Sequence, residues 1–162
     1  MVARRVERDA FVFYEPQPSR YPGERRYAAR RRLGLHIFPR SRMLPRTLLP
    51  LVEADCNGFF LIDAVNEGQA QFPLWGRAVP RRGNLAFALK LAHRTGARLQ
   101  PAYFLREGAG RAALHLLEPI EPAPGPDRDA FIEETARRLS GIFEPVIAAN
   151  LAQWYMLKDM RL

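Results

Sequence analysis

Gly58-Phe59-Phe60-Leu61-Ile62-Asp63 is an unbroken apolar run that opens on a glycine and stops on a carboxylate. A strand with one solvated face alternates apolar and polar residues, whereas one buried on both faces, as in a parallel sheet, does not. The run therefore predicts a central strand of a parallel sheet with Asp63 at its carboxyl end. Working outward, Phe11-Val12-Phe13-Tyr14 predicts a second short strand and residues 35–38 a third. Between these two, Pro16, Pro18 and Pro22 hold a loop extended, and residues 24–33 predict a basic helix stopped by Gly34. Residues 44–54 carry leucines at 44, 48, 49 and 51, close to one helical face, in a helix that Pro50 ends or kinks.

Downstream, residues 83–96 predict a helix with Leu85, Leu89 and Ala92 turned inward. Residues 99–105 and 112–117 predict strands joined by a Glu107-Gly108-Ala109-Gly110 turn. After a Pro/Gly-rich loop at 119–126, Asp127 or Asp129 caps a helix running to about Ala149, kinked near its end by Pro145. A short aromatic tail, Gln153-Trp154-Tyr155, follows. This alternation of strand and helix predicts an α/β chain. Its length of 162 residues suits a single domain over 1–162, with a mostly parallel sheet flanked by helices. The last two strands form an antiparallel edge in this reading.

The net charge of +8 comes almost wholly from arginine, since Lys90 and Lys158 are the only lysines. Such a surface favours anionic partners: nucleic acid, phospholipid headgroups or phosphorylated glycolipids. No zinc finger and no RNA-binding aromatic motif accompanies the charge. A basic nucleic-acid binder is therefore the weakest of three readings, and no nucleic-acid partner is expected. Cys56, the single cysteine, has no disulfide partner and no metal-ligand spacing around it, which predicts a core thiol in a reducing compartment. No apolar run reaches the roughly 20 residues a membrane-spanning helix needs. Glu7, Arg8 and Asp9 follow the basic start, so no signal peptide is expected there and any membrane contact is expected to be peripheral.

In an open α/β sheet, ligands bind beyond the carboxyl ends of the strands. Asp63 is expected there, either to orient a substrate hydroxyl or a cation, or to cap the next loop and pair with a structural arginine. Phe72-Pro73-Leu74-Trp75-Gly76-Arg77 sets three large apolar residues beside an arginine. It reads either as the wall of an apolar tunnel with a phosphate-binding cation at its mouth, or as a core-facing hairpin arm with an exposed arginine. Acyl transfer of the histidine/carboxylate type needs a histidine as general base for a hydroxyl, oriented by a carboxylate. Five residues after His36, His93 and His115 stand Ser41, Arg98 and Ile120, so none begins a His-x-x-x-x-Asp sequence. No catalytic residue is assigned, and no phosphate loop, nucleophile elbow, metal site or cofactor is expected.

From Arg30 onward the order of these features resembles the bacterial lipid A biosynthesis (lauroyl/myristoyl) acyltransferase family. Arg31 or Arg32 with Gly34 is similar to its arginine-then-glycine helix end. The span 49–63 resembles its helix, glycine turn and apolar strand ending in aspartate. Phe72 to Ala78 is similar to its phenylalanine-rich, glycine-terminated block. Gly83, Leu91-Ala92, Thr95-Gly96-Ala97, Pro101 and Arg106 follow in its order, and Gln153-Trp154-Tyr155 resembles its closing segment. The chain departs at Ala64, at Leu151-Ala152 and at Lys158-Asp159-Met160.

The resemblance implies a glycerolipid acyltransferase-like core, incomplete at its N-terminal side because the family's catalytic histidine motif precedes the matched part. It implies transfer of a fatty acyl group from acyl carrier protein or acyl-coenzyme A to a hydroxyl of a lipid acceptor, a lipid A precursor or related lipid. The place implied is the cytoplasmic face of the inner membrane. With the motif missing, the chain is expected to be truncated or inactive, and a non-catalytic lipid- or carrier-binding domain is the alternative. Asp63, Arg77 and Arg106 are the expected substrate-side residues, and Phe72, Leu74 and Trp75 the expected acyl pocket. A missing N-terminal portion would leave the strand at 11–14 as a bare edge, which predicts association or bilayer adhesion.

Overall fold

A computed structural model of the chain describes residues 9–14, 20–32, 34–39, 44–66, 68–122 and 127–160. They have a mixed α/β character and fall into two compact units, Met1–Phe60 and Leu61–Leu162.

The first unit is built on a three-stranded parallel sheet. Strand β1 (Ala10–Tyr14) leads to helix α1 (Arg20–Arg32), β2 (Leu35–Pro39), α2 (Leu44–Glu53) and β3 (Asn57–Phe59). The sheet order is β2-β1-β3, with Ala10 opposite both Leu35 and Asn57. Two expectations are reversed here. The strand at Phe11 is the central one, not a bare edge, and the run at Gly58 is the sheet's short edge strand, ending at Phe59 rather than Asp63. Packing explains the exchange. Phe11 is fully buried and meets Phe38 and Phe60 edge-on, with ring centroids 6.5 and 6.0 Å away. Gly58 makes room for that ring: a Cβ there would lie 2.6 Å from Phe11 Cζ. Of the run 58–62, Gly58 and Phe60 thus serve this aromatic cluster, Ile62 packs against the core of the second unit, and Phe59 and Leu61 are exposed. Pro50 lies inside α2 and does not end it. Gly34, at φ 78°, closes α1 as expected, its N–H donating to Arg31 O at 3.0 Å.

The second unit contains a small hairpin, β4 (Val65–Asn66) with β5 (Gln69–Ala70), then helix α3 (Gly83–Thr95). A longer antiparallel hairpin follows, β6 (Ala102–Gly108) with β7 (Arg111–Leu116), then helix α4 (Arg128–Ala149). Two short 3₁₀ turns close it, Leu151–Gln153 and Tyr155–Asp159. The antiparallel pair and both helices lie where the sequence predicts them. Asp127 is the α4 cap, its side chain accepting from the N–H groups of Asp129 and Ala130. Gly96, at φ 70°, caps α3. Along α4, Ile132, Ala136, Leu139 and Phe143 recur every three to four residues and are buried with Leu85 and Leu89 of α3. The parallel part of the sheet is confined to the first unit; the described strands of the second are antiparallel.

Candidate functional site

The loop at 71–78 is pinned from both sides. Phe72 and Leu74, expected in an acyl pocket, lie at 1% and 2% exposure in the core of α3 and α4, with Phe72 edge-on to Phe143 at 5.7 Å. Trp75 is half-buried. It sits at φ 43°, and Gly76 follows at φ 78°. The N–H of Arg77 donates to Leu74 O at 2.9 Å, closing a tight turn that needs positive φ at both central residues. Such a backbone costs a tryptophan on the order of 1–3 kcal/mol and persists only where its surroundings hold it.

Helix α4 supplies the hold. Leu74 N–H donates to Ser140 Oγ at 2.6 Å, Trp75 N–H donates to Glu144 Oε1 at 2.8 Å, and the Ser140 hydroxyl donates to the same carboxylate oxygen at 2.6 Å. Ser140 and Glu144 were not singled out in the sequence. Their only trace is a serine at a core position of α4, one turn before a glutamate.

Arg77 clamps the loop from within. Its Nε donates to Leu74 O at 3.0 Å, Nη1 to Ala70 O at 3.1 Å, and Nη2 to Pro73 O at 2.7 Å and to Met160 Sδ at 3.6 Å. Four of the five guanidinium N–H groups are thereby engaged. Burial pushes the Arg77 pKa below the usual arginine value, and an arginine so bonded stays charged.

The segment 151–160 connects the three expected substrate-side residues. Trp154 Nε1 donates to Asp63 Oδ2 at 3.1 Å, and the Trp154 ring meets Trp75 edge-on at 5.5 Å. The Gln153 side-chain amide faces the backbone of β6: its Oε1 accepts from Arg106 N–H at 2.8 Å and its Nε2 donates to Arg106 O at 3.5 Å. Met160 reaches Arg77. Asp63 lies in a turn four residues beyond β3, half-buried, while Arg106 is on the exposed face of β6. One chain segment therefore touches Asp63, Arg77 and Arg106, and a tryptophan pair lies beside the carboxylate.

The two histidines of the second unit make their ring contacts elsewhere. His115 stacks on Tyr103 at 4.7 Å, and its buried Nε2 has no hydrogen-bond partner. His93 lies 5.3 Å from Phe131. His36, on β2, is 4.0 Å from Asp9, an exposed pair of the kind that contributes little. Burial, with Asp9 adding to it, pushes the Cys56 thiol up. A raised pKa lowers the thiolate fraction at neutral pH. Cys56 should therefore react with iodoacetamide several-fold more slowly at pH 7.5 than a cysteine in an unstructured peptide; an equal or faster rate contradicts the burial. Among the described residues, no group of three metal-ligating side chains occurs and no helix is long and apolar enough to cross a membrane. Compared with models of known protein families and with curated proteins, the chain matches none of them.

Proposed function

We propose that the chain is a homologue of the lipid A acyltransferases that binds a phosphorylated lipid acceptor or an acyl donor at the Asp63–Trp154–Trp75 cluster. One observation carries the reading. The separate stretches that bear the resemblance, at Asp63, Phe72 to Ala78, Arg106 and Gln153-Trp154, meet in one place. Stretches remote in sequence gain nothing from matching a family's order unless they also assemble. In this reading Asp63 orients a hydroxyl, Arg106 offers an exposed cation to phosphate, and Trp75 with Trp154 lies along the acyl chain. Arg77 acts through the loop it clamps, since its N–H groups are spent on carbonyls. A general base is worth roughly 10²- to 10⁴-fold in rate. The ring contacts of His93 and His115 are with Phe131 and Tyr103 rather than with Asp63, so the reading assigns binding and orientation to this chain, at a membrane surface, and not turnover.

The chain's two tryptophans are both in the cluster, so its tryptophan emission reports on the site alone. Titration with a phosphorylated glucosamine lipid precursor, or with a long-chain acyl-coenzyme A, should change that emission saturably. Asp63→Asn should weaken binding of the lipid precursor about tenfold, the scale of one charge-assisted hydrogen bond. Emission indifferent to both ligands would reject the site. Acyl transfer from a carrier-linked fatty acid, well above a heat-killed control, would reject the assignment of binding without turnover.

A further inference from the structure

The hairpin β6–β7 has two edges, and the structure treats them differently. Gln153 occupies the β6 edge: its side-chain amide meets both the N–H and the C=O of Arg106, as a neighbouring strand would. That contact also fixes the phase of the ladder. In an antiparallel pair, residues alternate between turning their backbone groups toward the partner strand and turning them away. Arg106 turns away from β7, so its partner Ala112 turns away from β6, and with it Leu114 and Leu116, the partners of Phe104 and Ala102. Leu117 keeps the other phase, its N–H donating to Pro101 O at 3.0 Å. Among the described residues, β7 pairs with β6 alone. Its outer edge therefore presents the N–H and C=O groups of Ala112, Leu114 and Leu116 in a row. Natural edges are blunted by lysine, proline or a bulge. Residues 112–117 hold no lysine and no proline, and the register shift of the hairpin lies on β6, between Arg106 and Gly108.

We infer that this edge pairs with the same edge of a second copy of the chain, joining two hairpins into a four-stranded sheet about a two-fold axis. The inference stands on the hairpin and not on the reading of the Asp63 cluster. Charge decides the direction. The strand opens on Arg111 and Glu118 follows it, both exposed. Antiparallel pairing sets each arginine beside the other copy's glutamate, whereas parallel pairing in register sets like charges side by side. Hydrogen bonding decides the register. Only the even-numbered residues of β7 turn outward, so they must face even-numbered residues of the other copy. A shift by one residue sets them against groups already bonded to β6. The fullest overlap places the axis at Leu114. Leu114 then faces its own counterpart, and Ala112 faces the second copy's Leu116, a small side chain opposite a large one. Arg111 falls opposite the second copy's Leu117, next to its Glu118. The strand thus matches its own reverse in charge and in size, which favours a second copy over an unrelated extended peptide.

The test is sedimentation velocity of the full chain over a range of concentrations at moderate salt, with circular dichroism to verify the fold of each variant. A single strand edge buries little surface, which places the dimer among the small, weak interfaces. Dimer should therefore grow in toward the top of a range reaching about 500 μM, and monomer throughout overturns the proposal. Leu114→Pro removes an outward N–H that β6 does not use, a place where strands tolerate proline, and should weaken the dimer at least about tenfold. Arg111→Glu sets carboxylates together at both ends of the seam and should weaken it about fivefold, the sum of two exposed pairs. Adding Glu118→Arg restores the match in reverse and should return the dimer to within about twofold of the parent. Phe104→Ser lies in the β6 row, away from the seam, and should leave the dimer unchanged. A dimer lost with Phe104→Ser but kept with Leu114→Pro packs face to face and overturns the edge pairing. So does a double charge variant as weak as Arg111→Glu alone, since the order of charge then does not set the pairing.

Discussion

Phe72→Ala should lower the unfolding free energy of the 61–162 unit by about 3–5 kcal/mol, the range for a large aromatic truncated in a core. The ring is 1% exposed, packs edge-on against Phe143 and belongs to the cluster that joins α3 to α4. The cost depends on whether the surroundings can collapse into the space vacated. Here they are held. The backbone on either side of Phe72 is tied by Arg77 to the carbonyls of Ala70 and Pro73, and Leu74 is tied to Ser140. The cavity should stay open, placing the loss in the upper half of the range. Urea denaturation followed by far-ultraviolet circular dichroism measures it. A loss under about 1 kcal/mol would mean that Phe72 does not anchor this core. Had Phe72 lined an acyl tunnel, its ring would face open space, and alanine would disturb lipid binding more than stability.

Local signals in the sequence were strong where one residue type has one physical use. Asp127 before a helix, Gly96 after one, and Gly34 after α1 all appear in those roles. The β6–β7 hairpin was legible because two apolar runs flank the Glu107-Gly108-Ala109-Gly110 turn. Its first predicted residues fell short for a definable reason. Leu99 pairs with Ile120 as an isolated bridge, and Pro101, lacking an N–H, interrupts the ladder before Ala102. The sheet order was misread because periodicity cannot rank strands. Phe11 and Gly58 both lie in apolar runs; β1 is central because it pairs with both β2 and β3, and the Phe11 ring fills the space left by the missing Cβ of Gly58.

The candidate site was legible in residue type but not in role. Asp63, Arg77 and Arg106 were each picked as charged residues at suggestive places, and all three contact the segment 151–160. What could not be read is how a charge is spent. Arg77 looked like a phosphate cation because nothing in Trp75-Gly76-Arg77 announces that its guanidinium turns back onto three carbonyls. Gln153 and Trp154 were read only as part of a short aromatic tail, and through the resemblance as its closing segment, since such a tail has no periodicity that assigns a role. The helix α1, by contrast, is legible as charge and nothing else.

Glu144→Ala should cost about 2–4 kcal/mol and move the tryptophan emission to longer wavelength. The carboxylate oxygen Oε1 accepts from two donors, the Ser140 hydroxyl and the Trp75 N–H. Removing the acceptor orphans both, and Ser140 is 3% exposed, so water reaches its hydroxyl poorly. Each orphaned buried donor costs on the order of 1–3 kcal/mol; Glu144 is only half-buried, which holds the sum below the top of that range doubled. The structural consequence is more specific than the stability loss. Trp75 keeps its φ of 43° against strain, and its N–H bond to Glu144 opposes the relaxation. Once released, Trp75 leaves its edge-on contact with Trp154, and the Trp154 bond to Asp63 weakens with it. Both tryptophans then meet more water. Glu144→Gln retains a carbonyl oxygen at the same place and should keep the native emission at a cost of about 1 kcal/mol, the difference between a charged and a neutral acceptor. Fluorescence of the two variants, with urea denaturation beside it, separates the cases. Native emission from Glu144→Ala, with stability within about 0.5 kcal/mol of the parent, would mean that α4 does not hold the Trp75 turn.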